Sequence, residues 1–384
     1  MKKNIPIITV ALLSLNAFNI YTQEKEEYRE SLVQITLITP VGTNGINSAN
    51  YKNNFSFNII AGYNGELDGL EIGGFGNLLK GNAKGFQASG FANVVQGGLD
   101  GIQAAGFLNY VSKSSEGVQI SGFGNINETK IVGFQAAGFG NIAGEGSDVS
   151  QVSGFGNIAE GKVTGIQAGG FMNIAENIEG VQVAGFMNIA EDIEGAQLSG
   201  FINIAEKVDG VQVSFINICD SIDGVPIGFI SFVKKGYRTW EFWGSDALHM
   251  NLAYKMGANR FYNVFAFGGH FTSGFKWAFG YGIGTMFNIG DNTKLNLEAI
   301  SYDVRNNARF NYYVSLNQLR INYGMNFSEN KGFFMGPTFN VIISESEQAN
   351  YIANQIAPYN FFNRTNRYGK NVKMWVGINA GMRF

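Results

Sequence analysis

The sequence predicts an all-β protein in two parts: a β-solenoid of about ten coils of 14–16 residues, joined to a small antiparallel transmembrane β-barrel of eight to ten strands. Three observations carry this expectation. A short motif recurs ten times within residues 66–233, long alternating apolar segments follow it, and 52 Gly, 33 Phe and 16 Tyr accompany only 5 Pro. Glycine is costly inside helices, whereas small and aromatic residues suit opposite faces of strands. With 384 residues and 45% hydrophobic content, the chain has ample material for a core, so disorder is not expected.

The chain starts MKKNIPIITVALLSLNAFNIYTQEKEE: two lysines, an apolar run at 5–15 too short to cross a bilayer as a helix, then a polar acidic stretch. That order is expected of a secretory signal peptide over residues 1–23, and no cysteine follows it to carry a lipid anchor. Removing Lys2 and Lys3 from the 27 basic residues leaves 25 against 30 acidic ones, a net charge near −5 that argues against nucleic acid as a partner. The lone Cys219 cannot form an internal disulfide. It stands in a repeat column that holds alanine elsewhere (Ala143, Ala175), which reads as a small apolar filler.

Aligned on Phe-x-Asn, the ten units begin at Phe75, Phe91, Phe107, Phe123, Phe139, Phe155, Phe171, Phe186, Phe201 and Phe215. Ahead of nine of them stands a glutamine between apolar residues: Gln87, Gln103, Gln119, Gln135, Gln151, Gln167, Gln182, Gln197 and Gln212. Each unit thus holds two short strands divided by a small-Gly corner, and a turn of Glu, Asp, Lys or Asn leads to the next. No such piece is stable alone. Stacked as coils about 4.8 Å apart, they place like residues in columns and build a rod roughly 45–50 Å long.

In that rod the Phe column is expected to fill the interior. The Asn and Gln columns are expected to pass amide hydrogen bonds from coil to coil, and the small-Gly corner to need permissive dihedrals or close backbone approach. Glu71 in the Gln column, and Pro226 and Ser231 in the Gln and Asn columns at the far end, read as stop signals.

After residue 235 the repeat gives way to longer alternation. In KWAFGYGIGTMF, Trp277, Phe279, Tyr281 and Ile283 oppose Ala278, Gly280, Gly282 and Gly284. In QLRINYGMNFS, Leu319, Ile321, Tyr323, Met325 and Phe327 oppose Gln318, Arg320, Asn322, Gly324 and Asn326. The final strand, VKMWVGINAGMRF, follows the same rule and ends on Phe384. Bulky apolar residues on one face and small or polar ones on the other are expected of a barrel whose outside meets outer-membrane lipid.

Eight strands are expected near 237–244, 247–257, 262–271, 275–289, 293–305, 312–328, 332–344 and 372–384, with 31–39 and 55–63 as two further candidates. Short links would be periplasmic and the long 345–371 loop external; with eight strands the rod would fall on the periplasmic side or in the barrel's mouth, one strand more or fewer would reverse this, and the sequence leaves the side open. Glu298 and Arg320 fall on inward faces of neighbouring strands, so a cross-strand ion pair filling the lumen is expected, an open narrow channel being the rival.

The GxQx[AS]GFxNIA units followed by an aromatic alternating tail resemble the bacterial surface-repeat family of exported proteins, over roughly residues 33–233 for the repeats. The resemblance implies export and a cell-envelope location, but no activity and no catalytic residues. From the residues themselves, no catalytic, cofactor-binding or metal-ligating set is expected. His249 and His270 stand in separate predicted strands without clustered Cys or Asp, and GYGIGT at 280–285 lacks the strand-to-helix context of a phosphate loop. Glu191, Asp192 and Glu194 read as part of an acidic ridge along one edge of the rod. The expected role is structural or surface-interacting, with a protein or glycan ligand left open. The alternatives are a narrow pore gated or plugged by the solenoid and a soluble periplasmic binding module.

Overall fold

The computed structural model describes residues 27–272, 274–306, 314–328, 331–357 and 359–384. The expected signal peptide lies outside them. The strands form a 20-stranded sheet over 29–233 and a 9-stranded sheet over 237–383.

In the first sheet, each repeat strand pairs in parallel with its equivalent one coil on, as Gln119 with Gln135 and Asn125 with Asn141. Like residues therefore stack in columns. Eleven phenylalanine rings, Phe75 to Phe229, stack with centroids 4.7–6.0 Å apart and planes within 13° of parallel. The motif misses the last of these coils because Ser231 replaces its asparagine.

The interior position expected for the Phe column is overturned: the eleven rings are 38–56% exposed. The Gln and Asn columns fill the core instead. Alternation explains the inversion. Once Asn173 points in, Met172 and Ile174 point out, and Phe171 sits on the outside of the corner. A buried amide needs partners, and here Asn173 Nδ2 donates to Val183 O across the corner and to Asn188 Oδ1 in the next coil. Toward the opposite edge the core is apolar, built from Ala143, Ala159, Ala175 and Cys219 facing Ile178, Ile193 and Val208.

The two glycine columns have separate reasons. At the small-Gly corner, a Cβ on Gly106 would collide with the carbonyl of Gly90, so close approach decides. The glycine that opens the next strand, such as Gly117 at φ +139°, adopts a conformation that side chains disfavour.

The candidate barrel strands at 31–39 and 55–63 belong to the solenoid. Arg29–Ile38 pairs in parallel with Tyr51–Asn64, which pairs in parallel with Glu66–Gly73 and Gly76–Leu79. Alternation alone is common to both parts and does not separate them. Pairing does: Gln34, Ser56 and Glu71 continue the Gln column. Glu71 is accordingly no stop signal but a buried member of the stack.

Eight antiparallel strands close the barrel: Tyr237–Ser245, Met250–Ala258, Phe261–His270, Lys276–Gly290, Thr293–Asn306, Val314–Ser328, Lys331–Ser344 and Asn371–Arg383. The first and last pair directly, and Trp240 and Phe384 exchange backbone hydrogen bonds of 3.0 Å. The alternating segments face as expected, bulky residues out and glycines in. Gly280 and Gly284 leave room for the rings of Tyr302 and Tyr262, into which a Cβ would run.

The 345–371 loop carries a helix, Glu347–Ile356, capped by Ser346 accepting from the Ala349 N–H. Its Ala349, Ile352, Ala353 and Ile356 join Leu248, Val304, Leu316 and Ile342 in one buried cluster at the long-loop end of the bore.

The last coil of the rod rests on the outside of the barrel. The Ser231 N–H donates to Asn263 Oδ1, and Asn263 Nδ2 donates to Gly228 O, both at 2.8 Å. The barrel wall thereby satisfies backbone groups that an open sheet edge would leave unpaired. The last coil thus meets the barrel on its outer wall, at Asn263.

Candidate functional site

Five charged side chains meet in the lumen: Glu241, Lys255, Glu298, Arg320 and Arg383. Glu298 and Arg320 are direct cross-strand partners, with Arg320 Nη1 3.0 Å from Glu298 Oε2. Sequence reasoning named this pair but missed its neighbours. Lys255 bridges Glu298 and Glu241, lying 2.5 Å from the latter, and Arg383 Nη2 is 3.2 Å from Glu241 Oε1. The signal was present, since YRTWEFWGS alternates and places Tyr237, Thr239, Glu241 and Trp243 inward.

Neutral groups complete the cluster. Tyr262 Oη donates to Glu298 Oε1 at 2.8 Å, Asn296 Nδ2 donates to Tyr262 Oη, and Arg383 Nη2 donates to Asn296 Oδ1. Arg320 Nη2 donates to Asn379 Oδ1 at 2.9 Å, and its guanidinium lies 4.0 Å from the Trp243 ring centroid. Two carboxylates thus face three cations, all buried. Unpaired, each charge would be very costly at this depth; paired, they brace strands across the bore.

The solenoid interior is a second ordered polar array, and its two ladders run in opposite senses. Each glutamine donates to the preceding coil, as Gln103 Nε2 to Gln87 Oε1 at 2.8 Å. Each asparagine donates to the following coil, as Asn93 Nδ2 to Asn109 Oδ1 at 3.0 Å. At the start of the regular Gln ladder, Glu71 accepts from Gln87, Asn58 and Asn64. A carboxylate accepts only, so it suits a position where donors converge. Burial nevertheless pushes the Glu71 carboxyl above its usual range, with these donors pulling against it. At the far end Pro226 follows Gln212 in the column, and the ladder stops.

The remaining candidates are dispersed. The structure brings the His249 and His270 rings into a stack with centroids 4.2 Å apart, which their sequence separation hid. His249 occupies the turn before its strand and accepts from the Phe271 N–H, while His270 Nδ1 is 2.9 Å from Ala247 O. Among the described residues, no group of three His, Cys, Asp or Glu is placed to hold a metal ion. Residues 280–285 are barrel strand. Glu191, Asp192 and Glu194 are exposed on the edge away from the Phe column, where Lys162 pairs with Glu179 at 2.7 Å and Lys234 with Asp220 at 3.0 Å. Where rod and barrel meet, a cleft of ≈ 500 Å³ is lined by residues including Asp223, Lys235, Arg260 and Lys294.

These features define a β-solenoid appended to the wall of a closed eight-stranded barrel whose bore holds paired charged side chains. No family model matches the chain, nor does any curated protein or solved structure.

Proposed function

We propose that this is an exported, non-enzymatic outer-membrane protein in which the barrel anchors the solenoid in the cell envelope, in a structural or surface-interaction role. The carrying observation is the polarity of the barrel. Glu241, Lys255, Glu298, Arg320 and Arg383 are buried in the bore, while Trp240, Phe242, Leu252, Phe267, Phe279, Leu319, Tyr323 and Val376 stand exposed around the outside. A wall of that kind is unfavourable in water and suited to hydrocarbon. The resemblance to surface-repeat proteins and the signal-like N-terminus support the same location.

The side chains in the bore favour an anchor over a pore, because the apolar face of helix Glu347–Ile356 packs onto the barrel's buried cluster and the ionic cluster lies within it. The test combines membrane fractionation and heat-dependent gel mobility with conductance in a planar bilayer. An anchor fractionates with outer membrane, shifts on heating and conducts nothing. Steady conductance would favour the pore, and recovery in the soluble fraction would favour a periplasmic module.

A further inference from the structure

The outside of the rod is as unusual as its inside. Five outward columns run along it: the Phe corner and two columns on each broad face. One broad-face column contains Ile126, Ile142 and Ile158, and another contains Val211 and Val225. From Leu70 to Phe232, none of these positions holds Asp, Glu, Lys or Arg, and Ser150 and Tyr110 supply their only polar groups. Apart from the buried Glu71, the charges lie on the opposite edge, for example Glu176, Glu194 and Asp209. Where one column holds Gly140 and Gly156, an apolar groove opens beside Phe139, Phe155 and Ile158. Amides inside and hydrocarbon outside is the polarity of the barrel repeated in a rod, and it suits an apolar surrounding because the ladders satisfy the polar groups internally.

The junction orients this surface. On the charged edge, Asp223 lies 3.7 Å from Arg260 in a short barrel turn. On the other edge, Phe229 stacks on Tyr281 at 4.6 Å and meets Phe265 edge-on at 6.2 Å. Phe265 and Tyr281 are paired neighbours on the outer wall, about five residues farther along the strand than Arg260. The charged edge is therefore level with the short turns, and the Phe column runs into the aromatic wall.

We infer that the solenoid is itself a lipid-contacting element, its Phe column and flanking apolar columns meeting acyl chains in continuity with the barrel wall while its acidic edge stays in water. This rests on the reading of the barrel as membrane-inserted. The roll of the rod follows from the two contacts, and its apolar exterior follows from having no water to face.

The test uses the full chain in phosphatidylcholine vesicles, with Cys219→Ala removing the native thiol. Single nitroxides are placed at Phe139→Cys and Met172→Cys on the apolar side, Glu194→Cys on the charged edge and Phe279→Cys on the barrel wall. Collision rates with oxygen and with a water-soluble nickel chelate are then compared. The expected oxygen-to-nickel ratio at positions 139 and 172 matches that at 279 and exceeds that at 194 on the order of tenfold.

A lipid-like ratio at 279 with a water-like ratio at 139 and 172 would overturn the inference while leaving the barrel reading intact. Shielding from both reagents at 139 and 172, with dipolar broadening between labels, would replace lipid by a second copy as the occupant. A water-like ratio at 279 would remove the barrel reading and this inference together. Met172→Cys guards against loss of ring stacking at Phe139, since its column already accepts Gly, Ala, Leu and Ile.

Discussion

Arg320 stands directly across from Glu298 on the neighbouring strand, Nη1 to Oε2 3.0 Å, with neither side chain reached by solvent. Lys255 closes on the same carboxylate from the other side. Glu298→Ala would leave both cations dependent on Glu241, and breaking a buried pair from one side costs about 3–5 kcal/mol. Unfolding in detergent, followed by loss of the compact gel form, should show a destabilisation of that size. An unchanged midpoint would mean that the cluster does not brace the barrel.

Within the rod, Gln151 Nε2 donates to Gln135 Oε1 and Gln151 Oε1 accepts from Gln167 Nε2. Gln151→Leu leaves Gln135 Oε1 without its donor, at about 1–3 kcal/mol, and takes one of two acceptors from Gln167 Nε2, which keeps Ile174 O. Denaturant titration should show the loss. If the variant were as stable as the parent, the ladders would be incidental to the fold.

Glu71 supplies a pH signature. Because its folded pKa is raised by burial, the folded chain holds that proton more tightly than the unfolded chain. The contribution is full below the ordinary carboxylate pKa, declines as pH rises from there through the raised folded value, and is level beyond it. Wild type should therefore lose stability relative to Glu71→Gln across that window. A difference between the two that does not vary with pH would contradict the assignment.

Two glycine substitutions separate backbone need from available space. Gly117→Ala places a Cβ against the Gly101 carbonyl at φ +139°, which predicts a loss of at least about 1–3 kcal/mol. Gly140→Ala falls in the column that already holds Ala92 and Leu108, with its nearest neighbour at 3.0 Å, and should be mild. Thermal unfolding of the two variants checks the order, and similar losses would refute it.

Burial pushes the Cys219 thiol up to about 12, and the residue pairs with Ala205 in its column. The folded protein should resist aromatic disulfide reagents that react promptly after denaturation, and Cys219→Ala should fold normally. Rapid labelling of the native chain would show the column to be open.

Much of the fold was legible because repetition and alternation are local. Ten Phe-x-Asn units required stacking, and segments such as QLRINYGMNFS showed which residues share a face. The lumen was partly legible through Glu298 and Arg320. Lys255, Glu241 and Arg383 escaped because their meeting depends on barrel closure, which joins the first strand to the last. The helix Glu347–Ile356 left a readable trace in Ala349, Ile352, Ala353 and Ile356, spaced for one helical face.

The sequence by itself determined that like residues stack, that Gln and Asn form ladders, and that the tail separates bulky from small residues. Only the tertiary structure decided that the Phe side of the repeat lies outside. A period of two assigns residues to faces but is blind to exchanging those faces. That choice came from closure of the coil around the amides, which need partners when buried, and it left the eleven phenylalanines outside.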